Sequence, residues 1–374
     1  MARDYILKRT NKGCLAQLAR ASRLHREGRG FEPLNTHHKN HRLVCGFCVS
    51  CRIRYTYIYM KTHLSKKEIE GILLEYNIDK LIRYKEFTAG SVQTNIMIET
   101  QQGRFVLKCY KTRSKESALF ELNLLNRLSK TALPIAKPLK SLAGDLFVEH
   151  NGKLCAVMTF LVGEHAKNPN DYSKVDQANE VVKALVALHK NTHGYKPKNY
   201  QLRDSYDPEC CKRTAKIFVK KLKSKTKAGE RMVWLNNELK SVLIPKNIPR
   251  GVCHCDTHCS NFLFKGSKLT GMIDFDDAGY TWLIYDIANL LYFWAWKPGQ
   301  NINFTKAKKL INEYQKYGKL SASEKKHLYD VLKMVILMSA SWFIHVDNDF
   351  RQEQERIDYL NKIGRELFQD KLFN

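Results

Sequence analysis

The pattern of hydrophobic and polar positions along the chain changes near Met60. Residues 1–59 show no sustained helical or strand periodicity. They hold twelve Lys and Arg against three acidic residues, so they combine a high net charge with no repeating apolar face that a core would need. We therefore predict that residues 1–59 are a disordered or spurious N-terminal extension.

Beyond Met60, apolar positions recur at helix and strand spacing. Ser65 and Glu68 have the spacing of a capping box and predict the start of a helix. Further on, the apolar pattern predicts five strands, around residues 82–87, 94–99, 104–110, 146–149 and 154–160, and one helix over residues 116–128. This order predicts a lobe built on a sheet.

The second half of the chain has a mainly helical pattern. Helices are predicted over residues 177–189, around 217–222 and 232–243, and after Ser321, which has Glu324 three residues later. Two short apolar runs, 261–264 and 269–275, flank a Lys-Gly-Ser-Lys turn and predict a β-hairpin. The hairpin interrupts an otherwise helical region.

Polar side chains stand at the open end of this predicted hairpin. Asp256, Asn261 and Asp274 would meet there at one edge. An Asp in such a place accepts a hydroxyl proton, while an Asn and a second Asp hold a divalent cation against phosphate oxygens. The alternative is a solvated loop that collects carboxylates by chance, and it requires three spacings to coincide. The pattern therefore favours phosphoryl transfer.

The same residues carry a family resemblance. His254-x-Asp256, Asn261 and the Ile-Asp-Phe sequence around Asp274 resemble the catalytic and metal-binding loops of the kinase-like fold in its aminoglycoside phosphotransferase and choline kinase branch. The resemblance implies an α+β, protein-kinase-like bilobal fold, with a five-stranded antiparallel small lobe and a mainly helical large lobe that carries the catalytic hairpin. The implied domains are an ATP-binding small lobe at 60–162 and a large lobe at 163–374.

Roles for individual residues also follow from the resemblance. Asp256 would be the catalytic base or would orient the hydroxyl, and His254 would brace its loop. Asn261 and Asp274 would bind Mg²⁺, and Lys108 would contact the α and β phosphates of ATP.

Two further parts of the nucleotide site are less sharply defined. Glu121 is expected to orient Lys108, with Glu116 as its competitor. Gly90 and Ser91 lie in a turn that would cover the phosphates, although a turn with one glycine is also typical of an ordinary hairpin.

An acidic pair follows the predicted metal ligand. Asp276 and Asp277 are candidates for binding the ammonium group of a cationic substrate. The open alternative is that their carboxylates only accept hydrogen bonds from the backbone of the loop.

Within the family, the order of segments from Leu64 to Phe343 is similar to that of bacterial homoserine kinases. Homoserine is therefore the favoured acceptor of the ATP γ-phosphoryl group. Other small alcohols (choline, an aminoglycoside, methylthioribose) and protein serine or threonine remain alternatives, because the Asp276-Asp277 pair departs from the usual homoserine-kinase pattern. An inactive kinase-like scaffold is the alternative of another class.

The composition of the chain limits which partners and which cellular location we expect. A formal charge of +26 attracts phosphate-bearing partners, yet the lysines are scattered and no basic stripe is interleaved with aromatics, so no dedicated nucleic-acid binding is expected. The longest apolar run, 331–346, contains Lys333 and is short for a membrane span. Eleven cysteines without regular spacing predict free thiols and a cytoplasmic location. Metal binding at Cys45, Cys48 and Cys51 remains open.

Overall fold

The computed structural model describes residues 63–87, 93–111, 113–166, 175–197 and 205–374. The predicted extension at 1–59 with its cysteine cluster, and the turn at Gly90 and Ser91, lie outside the described residues. Within the described ranges, no helix is long and apolar enough to cross a membrane. The cysteines in these ranges are all buried and free.

A five-stranded antiparallel sheet forms the small lobe, as predicted. Its strands lie in the order β1-β2-β3-β5-β4, with helix α1 before the sheet and helix α2 between β3 and β4. The bounds are α1 Lys66–Leu74, β1 Leu81–Glu86, β2 Thr94–Thr100, β3 Gly103–Cys109, α2 Lys115–Leu128, β4 Val148–His150 and β5 Lys153–Thr159.

Local sequence explains where the small-lobe helices begin. Ser65 caps α1, and the Glu68 carboxylate accepts the Ser65 backbone N–H at 2.8 Å. These two hydrogen bonds form the predicted capping box. Ile69 and Leu73 of α1 pack with Ile96 and Leu107 of the sheet in a core that excludes water. This packing fixes the face of β3 that carries Lys108.

Helices make up most of the large lobe, which we define as α3 onward. Its helices are α3 Val175–Asn191, α4 Pro208–Phe218, α5 Lys225–Lys240, α6 Ile284–Leu290, α7 Phe304–Tyr317, α8 Ala322–Phe343 and α9 Asp347–Phe373, the last kinked at Gly364. The apolar run near the chain's end is the buried core of α8, where Lys333 pairs with Glu238 at 2.7 Å.

The helices between α3 and the hairpin differ from the prediction. The helix predicted around 217–222 begins earlier, because Asp207 caps its first turn and Pro208 stands at the first helical position. Only a short 3₁₀ turn, Val219–Lys221, follows it. The next helix, α5, starts at the Ser224 cap and not near Met232.

The hairpin is formed by β8 Phe262–Lys265 and β9 Lys268–Met272, with β6 Glu164–His165 alongside β8. Gly266 turns between the strands with a φ of +64°, a value that glycine adopts without strain. A second ribbon, β7 Arg250–Cys253 with β10 Gly279–Trp282, brackets the loops on both sides of the hairpin. The two ribbons hold the loop at 254–261 beside the loop at 273–278. The described elements confirm the predicted α+β, protein-kinase-like fold class.

Candidate active site

Asp256 and Asn261 meet at the open end of the hairpin, as the sequence predicted. The Asn261 side-chain amide donates to the Asp256 carboxylate at 2.9 Å and to the Asp256 carbonyl at 3.0 Å. Asn261 is buried and Asp256 is half-buried. The amide therefore fixes the orientation of a carboxylate that solvent or a substrate still reaches.

Asp274 lies at the end of the second hairpin strand. Its backbone is left-handed, with φ +63° and ψ 61°, a conformation that non-glycine residues adopt at a cost and that recurs at functional sites. The Ile273 N–H donates to the Asn261 carbonyl at 2.9 Å, which ties the two loops together. Asp256, Asn261 and Asp274 thus form one group.

The donor set of this group fits a divalent cation. The Asp274 side chain is exposed on one side, yet desolvation by the protein around it and the charge of Asp276 raise its pKa well above the usual range, while Lys108 opposes this rise. No hydrogen bond or ion pair of the described residues compensates its carboxylate. Carboxylate and amide oxygens are the ligands that Mg²⁺ and Ca²⁺ prefer. A cation held by Asp274 and Asn261 would remove this electrostatic penalty.

Lys108 lies in a closed charge cluster with Glu121 and Asp276. Its ammonium donates to Glu121 at 2.8 Å and also to Asp276, and all three side chains are almost fully buried. Burial disfavours the ammonium, but the two carboxylates outweigh it and hold the pKa of Lys108 above its ordinary value. The sequence left Glu116 as a competitor, and the structure pairs Lys108 with Glu121.

The carboxylates of this cluster are not equivalent. Burial raises the pKa of Glu121 to about 7 despite the neighbouring Lys108. Burial also tends to raise the pKa of Asp276, but the positive charges of Lys108 and Arg113 outweigh burial and hold this pKa below its ordinary value. Asp276 is thus a second counter-ion of Lys108 beside Glu121, a role that the sequence did not predict.

Asp277 has a different partner. The Arg113 guanidinium donates to its carboxylate at 2.6 Å, and the Tyr206 hydroxyl donates to its backbone carbonyl at 2.7 Å. Burial raises the pKa of Asp277, Arg113 opposes the rise and Asp256 adds to it. Neither carboxylate of the acidic pair therefore serves only to bind loop backbone.

Buried hydrogen bonds to Asp286 support the loop at 254–261. Asp286, at the start of α6, accepts the backbone N–H groups of His254 at 2.9 Å and Cys255 at 2.8 Å. The His189 Nε2 atom lies 2.9 Å from the same carboxylate and donates its N–H to it. The His254 ring contacts the Ile273 carbonyl at 3.0 Å, so it links the loop at 254–261 to the loop at 273–278.

Sequence reasoning missed Arg113 and Tyr206. Arg113 lies 164 residues before its partner, and Tyr206 lies 71 residues before it, so no local periodicity connects them with the acidic pair. A basic residue placed shortly after the β3 lysine was the one available signal for Arg113.

Comparisons with known proteins agree with this geometry. Residues 83–320 match the model of the phosphotransferase enzyme family. The homoserine kinase of Bartonella tribocorum is 29% identical over 260 residues, which is 68% of this chain and 78% of that protein. The homoserine kinase of Sinorhizobium fredii is 25% identical over 327 residues, which is 81% of this chain and 92% of that protein.

Solved structures share the fold. An amicoumacin kinase in complex with AMP-PNP, Ca²⁺ and Ami has a TM-score of 0.60 at 20% identity, over 86% of this chain and 96% of that one. A spectinomycin phosphotransferase in complex with ADP and spectinomycin has a TM-score of 0.55 at 15% identity, over 84% and 98%. Because the family match covers more than half of the chain, this protein is a kinase-fold member of the phosphotransferase enzyme family.

Proposed function

We propose that the enzyme transfers the γ-phosphoryl group of Mg²⁺-bound ATP to the side-chain hydroxyl of homoserine. The observation that carries the proposal is the Asp256, Asn261 and Asp274 group in a chain whose curated relatives are homoserine kinases over most of their length. Solved neighbours bind AMP-PNP with Ca²⁺, or ADP, which supports a nucleotide and a divalent cation here. Buried free thiols favour a reducing, cytoplasmic setting.

Asp256 would receive or orient the hydroxyl of the acceptor. The Asn261 amide holds one oxygen of the Asp256 carboxylate at 2.9 Å, and the other oxygen, which accepts the His258 N–H at 3.4 Å, keeps a lone pair for the hydroxyl proton. His254 and Asp286 keep the loop in place while the proton moves. The catalytic base would therefore act from a loop that these hydrogen bonds hold in place.

Lys108 would contact the phosphates of the nucleotide. Its ammonium is kept charged by Asp276 and Glu121, and its position on β3 is fixed by pairing with Asn95 and Ala156 on the flanking strands. When bound at Asn261 and Asp274, Mg²⁺ would neutralise charge on the phosphate oxygens. Catalysis would then depend on positioning and electrostatic stabilisation more than on covalent chemistry.

An acceptor panel tests this function. The purified enzyme is supplied with Mg²⁺ and ATP, and ADP release is followed with homoserine, choline, methylthioribose, an aminoglycoside and a generic protein substrate. We expect homoserine to give the highest kcat/KM. A higher kcat/KM with another acceptor would refute homoserine, and no acceptor-dependent ADP release at all would favour a scaffold.

A further inference from the structure

The charged side chains around the metal-binding loop fall into a closed cluster and an open pair. Lys108 and Asp276 expose only 6% and 10% of their side chains and already bind each other. Arg113 and Asp277 expose 20% and 39%. Of the two acidic candidates, Asp277 is therefore the carboxylate that a substrate can reach.

The open pair borders the place where the acceptor hydroxyl must lie. Asp277 ends the short 3₁₀ turn Phe275–Asp277 that directly follows Asp274. Its carboxylate is near enough to Asp256 for the charge of Asp256 to contribute to the raised pKa of Asp277. Tyr206 fixes the Asp277 backbone, so the carboxylate projects from a held position.

Arg113 supplies the complementary charge. One terminal nitrogen of its guanidinium binds Asp277 at 2.6 Å, and a guanidinium carries five N–H donors in a planar fork that matches a carboxylate. Its Nε atom is buried and has no hydrogen-bond acceptor among the described side chains and backbone. The pair therefore presents one cationic group and one anionic group side by side, and the 20% of the Arg113 side chain that is exposed is the part a substrate can reach.

We propose that Arg113 and Asp277 bind the amino-acid end of the acceptor, with the guanidinium on its α-carboxylate and the Asp277 carboxylate on its α-ammonium. This inference rests on the proposed function and identifies the groups that select the acceptor. The four charges would alternate in a ring, in which each group has an opposite charge on both sides. An alcohol with only an ammonium would meet Arg113 as a like charge, and one with only a carboxylate would meet Asp277 in the same way.

Three alcohols and two variants separate these contacts. Homoserine carries both charged groups, 3-aminopropan-1-ol lacks the carboxylate and 4-hydroxybutyrate lacks the ammonium. We expect Arg113→Gln to raise KM for homoserine by about 10-fold to 100-fold, because the substrate loses one hydrogen-bonded ion pair. The same variant should not raise KM for 3-aminopropan-1-ol, which has no carboxylate. Asp277→Asn should raise KM for homoserine to a similar degree and not raise KM for 4-hydroxybutyrate.

The matched control is Arg83→Gln. Arg83 also pairs with a carboxylate, Glu99, at 2.5 Å, but it lies on strand β1 with most of its side chain exposed. Its substitution removes the same charge and the same kind of ion pair, and we expect no change in KM for any of the three alcohols. The KM for ATP, measured for every variant, shows whether an effect is confined to the acceptor.

If thermal unfolding shows that Arg113→Gln or Asp277→Asn does not fold, Arg113→Lys provides a second test. Lys keeps the charge beside Asp277 but lacks the planar fork, so KM should rise for homoserine and not for 3-aminopropan-1-ol. If the wild type phosphorylates homoserine and the variants alter all three alcohols equally, or none, the pair does not bind the acceptor. If the wild type does not phosphorylate homoserine, the proposed function fails, and this inference fails with it.

Discussion

The set of buried hydrogen bonds to Asp286 is the feature whose removal should cost the most stability. Asp286 is fully buried and accepts hydrogen bonds from two backbone N–H groups of the catalytic loop and from the His189 ring. Asp286→Ala leaves these groups without an acceptor, and each buried unsatisfied group costs about 1–3 kcal/mol. For the three groups the expected loss is roughly 3–9 kcal/mol, which is a large share of the stability of a typical folded chain.

Equilibrium unfolding in urea measures this loss as a fall in midpoint at unchanged m-value. Asp286→Asn keeps the shape and one oxygen acceptor, so we expect it to lose roughly half as much. Asp358→Ala is the matched control, because Asp358 is exposed on α9, where a substitution usually changes stability by less than about 0.5 kcal/mol. An Asp286→Ala protein as stable as this control would refute the stabilising role of these hydrogen bonds.

The remaining predictions concern catalysis, the N-terminal segment and acid stability. Asp256→Asn should lower kcat at least ~1000-fold, while the Kd of the nucleotide, measured by calorimetry, should stay unchanged. Near-normal turnover would show that Asp256 is not catalytic. A chain that starts at Met60 should keep the full-length Tm and kcat, whereas loss of folding or of a bound metal would assign a role to the cysteines at 45–51. Ser65 and His150 lower the pKa of Glu68 to about 2, so its stabilising effect is present above pH 4.5 and disappears as pH falls through 2. The Tm difference between the wild type and Glu68→Gln should shrink over that pH range, and a constant difference would contradict the shift.

The sequence predicted best those features that depend on residues only a few positions apart. The capping boxes at Ser65 and Ser321 are both present, because each is closed by a residue only three positions away. The hairpin was predicted with its turn, since the two apolar runs and the turn that contains Gly266 are local features. The edge where Asp256 and Asn261 meet followed directly from that hairpin.

Long-range charge pairing was not accessible from the sequence. The sequence offered Asp276 and Asp277 as equal candidates for binding a cationic substrate, but in the structure Lys108 binds Asp276 and Arg113 binds Asp277. Which cation reaches which carboxylate depends on how β3 and the loop after it pack over the metal-binding loop. The helix predicted near 217–222 was misplaced for a different reason, because the Asp207 cap outweighed the apolar spacing that suggested a later start.

Transfer to the homoserine hydroxyl is tested most directly by ³¹P NMR of the product formed from ATP and homoserine in the presence of Mg²⁺. We expect one ADP and one new phosphomonoester of homoserine for each ATP consumed, and loss of both signals with Asp256→Asn. ADP with free phosphate and no phosphomonoester, or the same yield from Asp256→Asn, would contradict transfer to the homoserine hydroxyl at this site.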